Sequence, residues 1–336
     1  MSKLKLSVLD QSPIHDGKED RFGLLDTIEL AKICDTLGYH RYWLAEHHNT
    51  NGYASCAPEV MINSVATATK NMRVGSGGVM LNHYSPFKVA ETFNMLEALH
   101  TGRIDVGIGR APGSDFLTSR ALQGNREVDY SQKAYELIGY LNQNLDKRHP
   151  YFDVALSPAN IKAPPVYLLG SSEGSSKLAG ILGAGFVLAL FIGNHERSPA
   201  IIKEYKSAFV PSLAFSKPKV IIAVACIVAD SKEEAEFIAS SHVYWKLQAF
   251  TKYQRGAFKS PQELVKIIED LSPEDKKYYD ETMNHMILGN AKECREKIEK
   301  LAASYDVDEV MIVNVTYSFK DRVKSYELLA KEFELI

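Results

Sequence analysis

A chain of 336 residues, 45% hydrophobic and 24% charged, has ordinary globular composition and enough apolar mass for a large core. Its net charge of −3 argues against nucleic acid as the main partner, because binding a phosphate backbone needs a concentrated excess of Lys and Arg. The scattered Cys34, Cys56, Cys226 and Cys294 form no C-x-x-C pair and read as thiols in a reducing compartment.

In chain order, a short apolar run alternates with a segment of helical period. Residues 4–9 form the first run, and 24–37 the first helix, ended by Gly38. A strand at 39–45 precedes a helix at 57–69. The third strand, 73–81, is interrupted by glycines, and Pro86 opens a helix to about residue 100, a position where proline costs no hydrogen bond. The fourth strand is 103–109, followed by a helix over 128–145 and an irregular, proline-rich stretch at 149–165. Strands at 166–170, 186–190 and 219–228 follow, with helices at 175–182 and 199–209 between them. A long helical stretch, about 231–305, separates the seventh strand from the eighth at 309–315, and the last helix spans 319–335.

Strands that are nearly continuous apolar runs, alternating with helices, predict a parallel sheet covered by helices. Eight of them predict an α/β fold of the (β/α)8 TIM-barrel type, one domain over 1–336 with a helical insertion at 231–305 over the barrel mouth. An open doubly wound sheet is the alternative, but its glycine-rich turn is missing after the first strand, where the chain reads Asp10-Gln11-Ser12-Pro13. The N-terminus lacks a signal-peptide pattern and no apolar stretch reaches ~18 residues, so a soluble cytoplasmic protein is expected.

Active sites of such barrels form at the C-terminal ends of the strands, and polar and glycine residues cluster there. The second strand ends in Glu46-His47-His48. Adjacent residues on a strand point to opposite faces, so the two histidines do not readily share a metal, and no metal site is expected. One histidine in the cavity would serve as acid–base group or hydrogen-bond donor, and the bland alternative is one packed and one exposed ring. Gly75-Ser76-Gly77-Gly78 interrupts the third strand, either as a bulge or as a place where a flat ligand approaches the backbone. Arg110, in the loop Gly109–Asp115, offers a forked donor to an anion, or pairs with Asp115. Ser171, Ser172 and Ser175 lie where a strand turns into a helix, which gives either a phosphate seat or a plain serine cap. Tyr244, Trp245, Phe250 and Tyr253 in the insertion would line a substrate pocket or simply pack.

These segments resemble the bacterial luciferase-like flavin monooxygenases. Leu44-Ala45-Glu46-His47-His48 is similar to that superfamily's second-strand motif, Val74-Gly75-Ser76-Gly77-Gly78-Val79 to the third, and the run 102–110 to the fourth. Leu288-Gly289-Asn290-Ala291, leading to Val307-Asp308-Glu309-Val310-Met311, resembles the approach to the eighth strand. The resemblance implies a monooxygenase acting on paired donors, in which reduced FMN and O2 oxidise a small organic substrate. It assigns His47 as the catalytic acid–base group, places a non-prolyl cis peptide at Gly77-Gly78 under the flavin ring, and assigns Ser76, Gly77, Gly78, Arg110, Ser171, Ser172 and Ser175 to the cofactor. Luciferase itself carries a Glu-Ser pair where this chain has Ser171-Ser172. A separate flavin reductase and a homodimer are further expectations, with an F420-dependent oxidoreductase or a non-catalytic flavin-binding protein as alternatives.

Overall fold

The strands form where residues are buried on both faces, and alternation sorts them into two compartments. In β8 (Val220–Val228) all nine residues are buried. Ile221 and Ala223 point into the barrel interior, while Val220, Ile222 and Val224 pack outward against the helices. The computed structural model describes residues 4–124, 128–193 and 196–336.

β1 (Lys5–Asp10), β2 (Arg41–Leu44), β3 (Arg73–Ser76), β5 (Ile104–Gly109), β6 (Val166–Gly170), β7 (Gly185–Ala189), β8 and β10 (Glu309–Val313) pair in that order, all parallel. β10 pairs with both β1 (Lys5↔Glu309) and β8 (Val310↔Ile222), which closes the ring. The fold is therefore the eight-stranded α/β barrel and not the open sheet. β4 (Val79–Met80) continues β3 beyond Gly77-Gly78 along β5, and β9 (Ile287–Gly289) extends the end of β8 outside the ring. Parallel neighbours require crossovers, supplied by α1 (Arg21–Thr36), α2 (Pro58–Ala68), α3 (Pro86–Leu99), α4 (Phe116–Gln123) with α5 (Tyr130–Asn142), α6 (Glu173–Ile181) and α7 (Ala200–Ala208).

The region 231–305 contains α8 (Lys232–Thr251), α9 (Pro261–Glu269), α10 (Pro273–Asn284), β9 and α11 (Ala291–Tyr305). α8 packs on α9, α10 and β9, while α11 lies against β8, β10 and α12 (Phe319–Glu332) in the outer helical layer. No helix among the described residues is long and apolar enough to cross a membrane.

The N-terminal end of the barrel is closed by a buried ionic network. Arg41 donates to Glu309 Oε1 at 2.5 Å and Oε2 at 3.2 Å, and to Asp105 Oδ2 at 2.6 Å. Asp105 also accepts from Arg73 at 2.8 Å and from Trp43 Nε1 at 3.0 Å, while Ser7 and Lys219 complete Glu309 at 2.7 and 3.1 Å. Burial alone would push the Glu309 carboxyl up, but Arg41, Lys219 and His40 hold it down at about 2.

Candidate active site

Above this base, at the C-terminal ends of the strands, lies a cavity of about 620 Å³. That size suits a small-molecule or cofactor site. Its wall includes His47, Gly77, Gly78, Arg110, Ser171, Ser172 and Ser175, so seven of the eight residues singled out in the sequence share one cavity. Ser76 is the exception. Its side chain turns into the sheet, donating to Gly107 O at 2.7 Å and accepting from Gly107 N at 3.0 Å, and it is wholly buried. The Ser76 hydroxyl therefore ties β3 to β5 and is not part of the cavity wall.

Gly77-Gly78 is a non-prolyl cis peptide, as the resemblance implied. Side chains are excluded on steric grounds. A Cβ on Gly77 would run into Leu9 Cδ1 and come within 3.2 Å of Trp43 Cβ, and one on Gly78 would lie 2.9 Å from Gly107 O. The result is a bare stretch of backbone on the cavity wall, against which a planar ring can lie.

His47 and His48 part company just beyond β2. His47 borders the cavity, its ring stacked on Tyr53 with centroids 4.4 Å apart, and its Nδ1 is buried without a partner. Burial, with His48 and the Arg255 guanidinium nearby, lowers its pKa to about 4, so the ring is neutral at physiological pH. His48 turns away to Glu46 Oε1 at 2.7 Å. Glu46 also accepts from Tyr84 OH at 2.6 Å and from Met80 N at 2.9 Å, so its oxygens are committed to holding the ends of β2 and β4 together. No cluster of three or more metal-ligating side chains occurs among the described residues.

Arg110 is exposed at the cavity edge and has no side-chain hydrogen bond or ion pair among the described residues. The Asp115 pairing does not form. Asp115 instead caps α4, accepting from Thr118 N at 2.9 Å and from Asn49 at 2.7 Å. The serine turn starts its helix two residues earlier than expected, at Glu173, making Ser172 the N-cap. Ser175 Oγ donates to Ser172 O at 2.8 Å and sits against the bare Cα of Gly170. The turn is exposed, and its free N–H groups together with Arg110 fit an anionic tail.

Sequence reasoning missed part of the opposite wall. His242, Trp245, Lys246, Ala249 and Phe250 all line the cavity. Their spacing places them on one face of α8. Of the four aromatic residues proposed for a substrate pocket, Trp245 and Phe250 do line it. Tyr244 packs in the core under α8, and Tyr253, 84% exposed, borders an outer depression. Arg255 and Gln11, whose Oε1 is buried and unpaired, complete the lining. Gln11 stood at a strand end in the sequence, whereas Lys246 and Arg255 carried no motif to mark them.

The family model for luciferase-like monooxygenase matches residues 5–307. The uncharacterized protein YwcH of Bacillus subtilis is 38% identical over 98% of this chain and 99% of its own length. N-acetyl-S-alkylcysteine monooxygenase of the same organism is 34% identical over 97% of each chain. The solved structure of apo-MsnO8 superposes with a TM-score of 0.90 at 32% identity, covering 99% of this chain and 98% of that one. The barrel is shared more distantly by the oxygenating constituent of 3,6-diketocamphane monooxygenase, solved with FMN (TM-score 0.69, 17% identity, 98% of each chain). It is shared also by an F420-dependent secondary alcohol dehydrogenase, solved with an F420-acetone adduct (TM-score 0.67, 14% identity, 99% of each chain). Family model, full-length relatives and barrel agree, and this chain belongs to the luciferase-like monooxygenase family.

Proposed function

We propose that the protein is an FMN-dependent monooxygenase that uses reduced FMN and O2 to oxidise a small organic substrate. The observation that carries this reading is a single cavity combining a glycine wall, an unpaired guanidinium beside a serine turn, and a neutral histidine with a free ring nitrogen. Reduced FMN would supply two electrons to O2, one oxygen atom passing to the substrate and the other leaving as water.

The chain's own residues do the rest. Gly77 and Gly78 receive the flat ring, while Arg110, Ser171, Ser172 and Ser175 hold the phosphate at the positive end of α6. His47, uncharged, takes up a proton on its ring and returns it, or donates a hydrogen bond into the cavity. Trp245 and Phe250 keep water from the reacting centre. Glu46 is a positioning residue.

A separate flavin reductase, a cytoplasmic setting and a homodimer belong to the same reading. The exposed Val60 on α2 and Met95 and Leu99 on α3 support a second copy. The deciding experiment is an anaerobic titration with reduced FMN and with reduced F420, followed by mixing with O2. We expect tight FMN binding and a slower return of oxidised-flavin absorbance than free FMN gives. Tight F420 binding without FMN binding would overturn the proposal in favour of a hydride-transferring enzyme. Binding of FMN with no oxygen consumption against any substrate would favour a binding protein.

A further inference from the structure

The α8 wall carries a cation for which the flavin reading has no use. Lys246 is only 7% exposed, yet it lines the cavity. Its Nζ donates to Phe191 O at 3.1 Å, which uses one of three N–H groups. Among the described residues no carboxylate pairs with it. The charge acting on it is another cation, Arg197, whose guanidinium is occupied by the carbonyls of Leu190 and Ile192 at 3.5 and 2.5 Å. Burial and Arg197 lower the Lys246 pKa to about 8, so the amine still carries its proton at neutral pH.

Glu196 acts on His285 and not on Lys246, and the other described neighbours supply no negative charge. His242, one turn earlier on the same face, is 3% exposed, its Nδ1 has no partner, and burial and Lys246 keep it neutral. His285 bonds to Leu190 O at 3.1 Å. Among the described residues that line the cavity the one carboxylate is Glu46, and it is fully engaged by His48, Tyr84 and Met80 N. An uncompensated buried ammonium is costly, and the cost is relieved when a ligand brings the opposite charge.

We propose that Lys246, assisted by His242, is the seat for a carboxylate carried by the substrate, whose apolar or aromatic body lies against Trp245 and Phe250. This deepens the monooxygenase reading and rests on it. A single ammonium among apolar and aromatic walls matches one negative charge. A phosphate, with nearly two, matches the exposed Arg110 and serine turn instead. Lys246 and His242 thus hold the substrate by its far end and leave its body to face the glycine wall.

The test uses the flavin-loaded protein and calorimetric titration with paired probes: hexanoate against hexanamide, and phenylacetate against phenylacetamide. In the wild type the carboxylates are expected to bind at least about tenfold more tightly than the amides, the size of effect one charged hydrogen bond gives. Lys246→Met should erase that preference, and Lys246→Arg should keep most of it. No carboxylate–amide difference in the wild type, or a preference unchanged in Lys246→Met, overturns the proposal. So does a Lys246→Met variant that loses FMN but keeps riboflavin, because Lys246 would then belong to the phosphate seat. Should the protein bind no flavin, the monooxygenase reading fails alone, since the same probe pairs still report on the flavin-free cavity.

Discussion

The two ends of the barrel use similar charged residues to opposite purpose. At the base, Arg41, Arg73 and Lys219 meet Asp105 and Glu309 in a network that satisfies both carboxylates. At the mouth, Arg110 and Lys246 stand without carboxylate partners among the described residues, and the Nδ1 atoms of His47 and His242 have no hydrogen-bond partner among them. Satisfied buried charge holds a structure together. Polar and charged groups left unmatched around a cavity are capacity reserved for something that arrives later.

The contrast breaks most readily at the base. Arg41→Met leaves Asp105 and Glu309 short of their central partner, and should cost about 3–5 kcal/mol of stability in urea unfolding. A loss below about 1 kcal/mol would mean that the remaining cations suffice. His47→Ala at the mouth should leave the unfolding midpoint nearly unchanged while lowering turnover by about 10²-fold or more with flavin affinity retained. Unchanged turnover would remove His47 from the chemistry. Gly77→Ala lies between the two regions: its methyl group would press on Leu9 and Trp43, costing about 1–3 kcal/mol and weakening flavin binding together with stability. Arg110→Ala should weaken FMN by about tenfold and riboflavin hardly at all, as expected for a phosphate contact.

Acid should reach the buried histidines before Glu309. His47 and His15, at about 4, and His242, at about 3, have folded pKa values below the ordinary 6.5. Their neutral burial is fully tolerated above pH 6.5. As pH falls from there towards 4 the unfolded chain takes up protons that the folded chain refuses, so stability drops. His40, beside the base, adds to that window. Glu309, depressed to about 2, contributes stability that is complete above its ordinary 4.5 and is lost progressively as pH falls from there through about 2. Replacing His242 with Leu should therefore flatten the first acid limb and leave the second. An unchanged first limb would show that the histidines do not set it.

Much of this was readable in the sequence. Strands buried on both faces appear as unbroken apolar runs, which is why 166–170 fell on β6 to the residue. Glu46-His47-His48, Gly77-Gly78 and Ser171-Ser172 were legible as polar and glycine clusters where strands end or break, but position alone left each with a bland alternative and the resemblance singled them out. Ser76 misled because the Gly-Ser-Gly-Gly run looks uniform, whereas only the structure shows its hydroxyl bridging to Gly107. The α8 wall was hidden for another reason. That helix is buried on several sides, with Ala235, Ile238 and Ala239 packed in the core and His242 and Lys246 at the cavity, so no polar stripe marks which face meets a ligand.

The single-helix origin of that wall has a practical meaning for changing what the protein accepts. The glycine and serine side is assembled from the ends of β2 to β6, cross-tied through Glu46 and Ser76, and a change in one loop is felt in its neighbours. The five cavity-facing positions of α8, in contrast, come from one contiguous segment of 20 residues. A library confined to positions 242, 245, 246, 249 and 250, with Ala235, Ile238, Ala239 and Val243 kept to preserve docking, would explore new substrates without touching the glycine and serine side of the mouth.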